Sequence, residues 1–265
     1  MGAIENSHWV VTGAAGTIGS TLRRALHDRG VALTSTDARR AEVVGDRDRF
    51  AVADLADLTA LTEVLRGADG VIHLGGIADE ADFHDLAEVN IVGTYHVLEA
   101  ARRAGTPRVV FASSNRLTGM YPASTMVSPD MPPRPDGFYG VSKVAGEALC
   151  RLYADKFGLC TASVRIGSYE DQPTSAREQR TWLSPADAVL AFIAAMTTTE
   201  PGVVFYAVSA NEARWWDLAA GEAIGFAPKD NATASGDPLP FDPLAPQGGP
   251  YAEAPYSLDR MRDLP

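Results

Sequence analysis

A β-rich run ending at Thr12 leads directly into Gly13-Ala-Ala-Gly16-Thr17-Ile18-Gly19 and then into a helical pattern. Few folds accommodate that order. Glycines at this spacing let the backbone turn tightly and let a pyrophosphate approach the amide groups at a helix N-terminus. The helix is expected from about Gly16 to Arg29, with Ile18, Leu22, Ala25 and Leu26 as its apolar stripe. Short β-rich runs recur between further helical patterns: His8–Gly13, Val31–Asp37, Phe50–Ala53, Val71–Gly75, Arg108–Ser113, Thr161–Gly167 and Val203–Val208. Helices are expected over 57–66, 83–104, 138–157 and 185–198. This alternation predicts an α/β fold with a doubly wound parallel sheet, a Rossmann fold, and a small C-terminal substrate-binding region. It fits one NAD-binding domain over residues 1–265, with substrate-binding elements mainly within 168–265.

Asp37 ends the second strand, where a carboxylate can accept hydrogen bonds from ribose hydroxyls and would repel a 2′-phosphate. The expected cofactor is therefore NAD rather than NADP, although Arg39 and Arg40 stand close by. Asp54 and Leu55, after the third strand, are placed to flank the adenine, the acid toward its amine and the leucine toward its ring. Leu74-Gly75-Gly76 ends the fourth strand and lets backbone pass beside the cofactor; sheet–helix packing would use the same glycines.

Phe138-Tyr139-Gly-Val-Ser-Lys143 puts a phenol and an ammonium four residues apart, on one face of a helix. An ammonium beside a phenol favours the phenolate and makes the pair a proton-transfer device. The lysine is conspicuous because the chain has three lysines, Lys143, Lys156 and Lys229, among 23 basic residues. A compact, strongly hydrated ammonium suits that task better than a guanidinium.

A net charge of −11 with no basic stripe argues against nucleic acid or an anionic membrane as partner. Any anionic substrate must then be met by individually placed arginines. The two cysteines, Cys150 and Cys160, form no metal or redox motif and suit a reducing compartment. With neither an export pattern nor a long apolar run, a cytoplasmic location is expected. The five histidines, at 8, 27, 73, 84 and 96, lack metal-ligand spacing, so no metal is expected.

The loop Thr12–Gly19, Asn90-Ile-Val-Gly-Thr94, Ser113-Ser114-Asn115 and Tyr139-x-x-x-Lys143 resemble the extended short-chain dehydrogenase/reductases. The stretches His73–Ile77, Val110–Asn115, Arg134–Lys143, Val164–Ser168, Trp215–Asp217, Pro228–Asn231 and Gln247–Gly249 are similar to the uronate dehydrogenases in particular. That resemblance implies NAD-dependent oxidation of the C1 hydroxyl of a hexuronic acid, giving an aldarolactone. It implies Tyr139 as base, Lys143 lowering the phenol pKa and holding the nicotinamide ribose, and Ser114 on the reacting oxygen. Asn90 is counted with the cofactor site, where the resemblance implies that it caps backbone groups of adjacent strands, a structural role, with a tolerated polar residue in the helix as the competing reading. On the substrate side it implies Ser113, Ser114, Asn115, the residue at Arg116, and Ser168, with Arg177 gripping the carboxylate through two parallel hydrogen bonds. A homodimer or larger homo-oligomer is expected by the same analogy.

Two positions depart from the family pattern: Arg116 replaces a histidine and Ala78 a serine. Two readings stay open: a related sugar or acid as substrate, one with a second anionic group among the candidates, or a weak activity on uronates. Arg165 and Arg180 are competitors to Arg177, and Trp182 a candidate wall of the substrate cleft. The segment Ser168–Arg180 is expected to cover the substrate, and the Pro/Gly-dense stretch Gly236–Pro255 to be a tail, either wrapped in order on the domain or partly mobile. A nucleotide-sugar epimerase is disfavoured by the short chain after Gly167, and a non-catalytic NAD(P) sensor by the serine–tyrosine–lysine set.

Overall fold

The computed structural model describes residues 4–233 and 237–262. Its elements run β1 His8–Thr12, α1 Thr17–His27, β2 Ala32–Thr36, β3 Asp48–Phe50, α2 Leu58–Leu65 and β4 Gly70–His73. Next come α3 Phe83–Leu86, a π-helical turn Ala87–Val92, α4 Gly93–Ala104, β5 Arg108–Ser114, a 3₁₀ turn Asn115–Thr118, α5 Phe138–Phe157 and β6 Cys160–Ile166. The remainder is β7 Ser168–Tyr169, α6 Glu178–Thr181, β8 Trp182–Leu183, α7 Pro185–Thr197, β9 Val203–Ala207, α8 Ala219–Ala223, a 3₁₀ turn Gly249–Ala252 and α9 Ala254–Leu258.

Seven strands form one parallel sheet in the order β3-β2-β1-β4-β5-β6-β9, while β7 and β8 pair separately. Neighbouring strand residues point to opposite faces, so Val10 and Val109 join one core with Leu61, Leu65, Val97, Leu98 and Tyr153. Val11 and Val110 join the other, with Leu22, Leu26, Phe192, Met196 and Phe205. Chain direction reverses its progress across the sheet between β1 and β4, and the loops after these two strands open a crevice at that point.

The strand expected at Phe50–Ala53 lies two to three residues earlier, at Asp48–Phe50. Its first residue is an acid whose buried carboxylate meets the buried Arg23 at 2.5 Å, a pairing that local apolar patterning does not reveal. The helix expected over 83–104 is interrupted by the π turn, which turns Asn90 inward. Gly236, where the Pro/Gly-dense stretch begins, lies outside the described residues. The rest of that stretch is ordered against the loop after β5: Ala123 N–H donates to Ala245 O, Gln247 N–H to Tyr121 O and Gly248 N–H to Gly119 O.

Candidate active site

The crevice widens into a cavity of about 540 Å³. One side is the glycine loop. Gly13 has φ +69°, and a Cβ there would fall 2.6 Å from the Leu74 carbonyl carbon and the Gly75 nitrogen, so only glycine lets these two loops meet. Helix α1 starts after Gly16 with no side-chain cap, leaving the amide groups of its first turn free where Gly16, Thr17, Ile18 and Gly19 line the cavity. Arg23 braces the loop from behind by donating to Ala14 O at 3.2 Å, and Asp37 accepts from Ala15 N–H at 3.0 Å. A bare helix N-terminus beside a side-chain-free backbone fits a pyrophosphate, and so fits NAD.

Outside the cavity lining, a chain of buried polar groups ties the end of β1 to β4 and α4. Gly75 N–H donates to Thr12 Oγ1, leaving the Thr12 hydroxyl to donate to His73 Nδ1 at 2.8 Å. His73 Nε2–H then donates to Thr94 Oγ1 at 3.1 Å, whose hydroxyl donates to Asn90 O. Burial, helped by the nearby Lys143 charge, pulls His73 down to about 3, so this relay runs through a neutral imidazole.

Opposite the glycine loop, Tyr139 and Lys143 project from the first turns of α5, and Ser113 and Ser114 from the end of β5; all four line the cavity. Lys143 Nζ donates to Ala112 O at 3.0 Å and lies 5.6 Å from the centre of the Tyr139 ring. Burial pulls Lys143 down to about 8 and pushes the Tyr139 phenol up to about 12. On the phenol, the Ser114 hydroxyl and the Arg116 charge act in the opposite sense to burial, while Asp79 and Asp136 reinforce it.

Two arginines face this cavity in contrasting states. Arg177 has no carboxylate within ion-pair distance among the described residues; its Nε donates to Gln247 O at 2.9 Å and its Nη1 to Ser168 Oγ at 3.2 Å. Burial pulls it below the usual arginine value, as expected of an uncompensated cation. Arg116 differs from the expectation of a free added charge. Its Nε donates to Asp136 Oδ1 at 2.5 Å, its Nη1 to Asp79 Oδ1 at 3.2 Å, and its Nη2 lies 3.5 Å from Glu80 Oε2. Burial opposes its charge, but Asp136 and Asp79 outweigh that and raise its pKa. A guanidinium so neutralised offers no net charge to a second anionic group.

The cavity thus brings together Gly13, Gly16, Thr17, Ile18, Gly19, Leu74, Gly76, Ala78, Ser113, Ser114, Asn115, Arg116, Tyr139, Lys143, Ser168 and Arg177. Asp37, Asp54, Leu55, Gly75 and Asn90 lie outside its lining. Asp54 is exposed and accepts from Ala56 N–H at 2.8 Å, and Leu55 packs on Gly75 and Gly93. Every polar atom of the Asn90 side chain is committed to protein: Oδ1 accepts from Ile77 N–H, and Nδ2 donates to Ile77 O and Ser142 Oγ. Asn90 therefore serves as a brace. Ser113 also lines the cavity, but its hydroxyl is turned to Glu147, which Arg165 grips at 2.8 and 2.9 Å. Arg165 is thereby removed from competition for a substrate, and Arg180 lies over Trp215 and Phe241 beside a separate pocket. Trp182 is no wall of the cavity; its Nε1 donates to Glu170 O and so steadies the covering segment. Tyr169, Glu170 and Glu178 of the expected cover do line it.

Sequence reasoning missed Tyr251, whose ring lies 4.2 Å from the Arg116 Cζ and 4.9 Å from that of Arg177. It missed Asp79, Glu80 and Asp136 as well. Only Asp136 lies within a stretch similar to the uronate dehydrogenases, Arg134–Lys143; the others bear no local signal.

The sequence matches the NAD dependent epimerase/dehydratase family over residues 9–170. It is 42% identical to uronate dehydrogenase of Agrobacterium fabrum over 93% of this chain and 97% of that protein. Glucuronic acid dehydrogenase from Chromohalobacter salexigens matches in structure with a TM-score of 0.87 at 36% identity, over 96% of this chain and 99% of that one. A tyrosine-to-alanine mutant of uronate dehydrogenase from Agrobacterium tumefaciens, complexed with NAD, gives 0.84 at 41% identity over 93% and 97%. The chain belongs to the NAD dependent epimerase/dehydratase family and is an NAD-dependent dehydrogenase acting on a CH–OH group, similar throughout to the uronate dehydrogenases.

Proposed function

We propose that the protein oxidises the C1 hydroxyl of a hexuronic acid of the glucuronate or galacturonate type to an aldarolactone. The observation that carries this is Arg177: a guanidinium with no carboxylate partner among the described residues, in the same cavity as Ser114, Tyr139 and Lys143. One uncompensated cation matches one carboxylate, and Arg116, being neutralised, adds no second anion site. When bound, NAD accepts the hydride from C1. Tyr139 as phenolate takes the C1 hydroxyl proton, Ser114 holds that oxygen, and the C1–O bond becomes the lactone carbonyl. Burial holds the phenol up at about 12, and the Ser114 hydroxyl and the Arg116 charge are the groups that favour its ionised form; Lys143 has donors beyond the bond to Ala112 O for a ribose hydroxyl. The glycine loop and the first turn of α1 hold the pyrophosphate. Ala78, where the family pattern has serine, leaves one substrate hydroxyl without a side-chain donor, at about 1 kcal/mol.

The test follows NADH formation with galacturonate, glucuronate, galactose and glucose 6-phosphate. Turnover should favour the uronates. Arg177→Ala should lower kcat/KM for them on the order of 10- to 100-fold, the worth of a charged hydrogen bond of about 1.5–3 kcal/mol, with little effect on galactose. Equal turnover of galactose and galacturonate would remove the carboxylate clamp, and a fully active Tyr139→Phe variant would remove the base.

A further inference from the structure

Helices α2, α3 and α7 take side-chain caps from their own N-cap residues, Asp57, Asp82 and Ser184. Helix α5, which carries Tyr139, has Gly137 at its N-cap, no side-chain cap from that residue and no acid in its first turn. Its free amide groups are met instead by Glu80, 58 residues earlier: Oε1 accepts from Phe138 N–H at 2.8 Å and Oε2 from Tyr139 N–H at 3.1 Å. The Glu80 side chain is fully buried. Ser257 Oγ donates to its Oε1 at 2.7 Å and Arg116 stands by its Oε2. A Cβ at position 137 would lie 2.4 Å from Glu80 Oε2, so glycine there keeps open the approach that the carboxylate uses. On the other side of the same residue, Ser142 Oγ donates to Tyr139 O at 2.7 Å, and Asn90 holds that serine. Glu80 and Asn90 both lie in the chain after β4; Glu80 meets the Tyr139 N–H directly, and Asn90 reaches the Tyr139 C=O only through Ser142 of α5.

We propose that Glu80 is a positioning residue for Tyr139: it fixes the backbone from which the phenol reaches into the cavity, while Arg116 and Ser257 hold its carboxylate in place. This rests on the reading of Tyr139 as base. Glu80 touches no substrate, and its effect should appear in kcat rather than in binding. A displacement of about 1 Å in a reacting group costs on the order of 10²-fold in rate.

The experiment is steady-state NADH formation by the full chain with galacturonate and NAD, alongside NAD binding and thermal melts. Glu80→Ala should lose on the order of 10²-fold in kcat, with KM for galacturonate and Kd for NAD within a few-fold of the parent. Glu80→Gln, which keeps the shape and one acceptor oxygen, should recover part of the loss. Gly137→Ala should reproduce the loss with the Glu80 charge intact, and it decides the matter where Glu80→Ala does not fold. In Gly137→Ala, which leaves the Glu80 carboxylate in place, the pH at which kcat rises should stay where it is, because position and not charge has changed. Wild-type kcat in folded Glu80→Ala or Gly137→Ala, a loss that merely follows the unfolded fraction, or a shifted pH limb with an unchanged plateau would each overturn the role. Tyr139→Phe, run in parallel, separates the two ideas: turnover surviving there removes the base, whereas loss there with unaffected Glu80 and Gly137 variants removes only the positioning.

Discussion

Arg116 and Arg177 are the same residue type facing the same cavity, and their surroundings give them different work. Arg177 keeps its charge unpaired, whereas Arg116 spends its charge on Asp79, Glu80 and Asp136. The sequence shows that an arginine replaces the family's histidine, but not that three acids converge on it, because those acids approach from two loops far apart in the chain. Asp136 carries the testable consequence. Burial, opposed by the Arg116 guanidinium, pushes its carboxyl from an ordinary 3.8 up to about 6, and its Oδ2 has no hydrogen-bond partner. A raised pKa means that the folded state binds the proton more tightly than the unfolded one. The associated stability is present below about pH 4 and is lost as pH rises through about 6, with each pH unit between those limits weighing about 1.4 kcal/mol. Asp136→Asn keeps an oxygen for Arg116 Nε and removes the titration. Thermal melts between pH 4 and 6 should therefore show a stability difference between variant and parent that moves in the variant's favour as pH rises. Parallel curves for the two proteins would sink the assignment.

At the scale of elements, the long helices were legible and their interruptions were not. Helix α5 runs over the expected residues 138–157, and α7 ends one residue short of expectation, because apolar periodicity reports such elements well. The π turn at Ala87–Val92 has no periodicity of its own; the chain inserts it to bring Asn90 against Ile77 and Ser142. Asn90 thereby joins the segment after β4 to the helix of the base. Asn90→Ala would leave the Ile77 N–H and C=O without their partner, at about 1–3 kcal/mol for each buried group left unsatisfied. Urea unfolding should show a loss in that range, and kcat should fall more than the folded fraction does because Ser142 loses its anchor. A variant as stable as the parent would mean that water replaces the amide and that the brace is dispensable.

At the scale of the molecule, alternating strands and helices announced a doubly wound sheet, and the glycine loop placed the crevice after β1. The route of the last segment could not be read: its Pro/Gly density is plain, but the backbone groups that receive it, at Gly119, Tyr121 and Ala123, lie more than a hundred residues earlier. Assembly is a matter of the surface. Val141 and Leu152 on α5 are three helical turns apart and so share a face; Leu152 is 47% exposed, and Tyr95 on the adjoining α4 is 40% exposed. Apolar side chains presented together on neighbouring helices favour a symmetric contact with a second copy of the chain, in which each buried leucine contributes about 1.5–3 kcal/mol. Light scattering after gel filtration should give a mass at least twice 28.1 kDa. Leu152→Glu would set a charge against its own symmetry mate or an apolar surface, and should weaken association on the order of 10²-fold while leaving the monomer's melting curve nearly unchanged. A parent protein that runs at 28.1 kDa at micromolar concentration, or a Leu152→Glu variant that assembles as the parent does, would show that this face is not the contact.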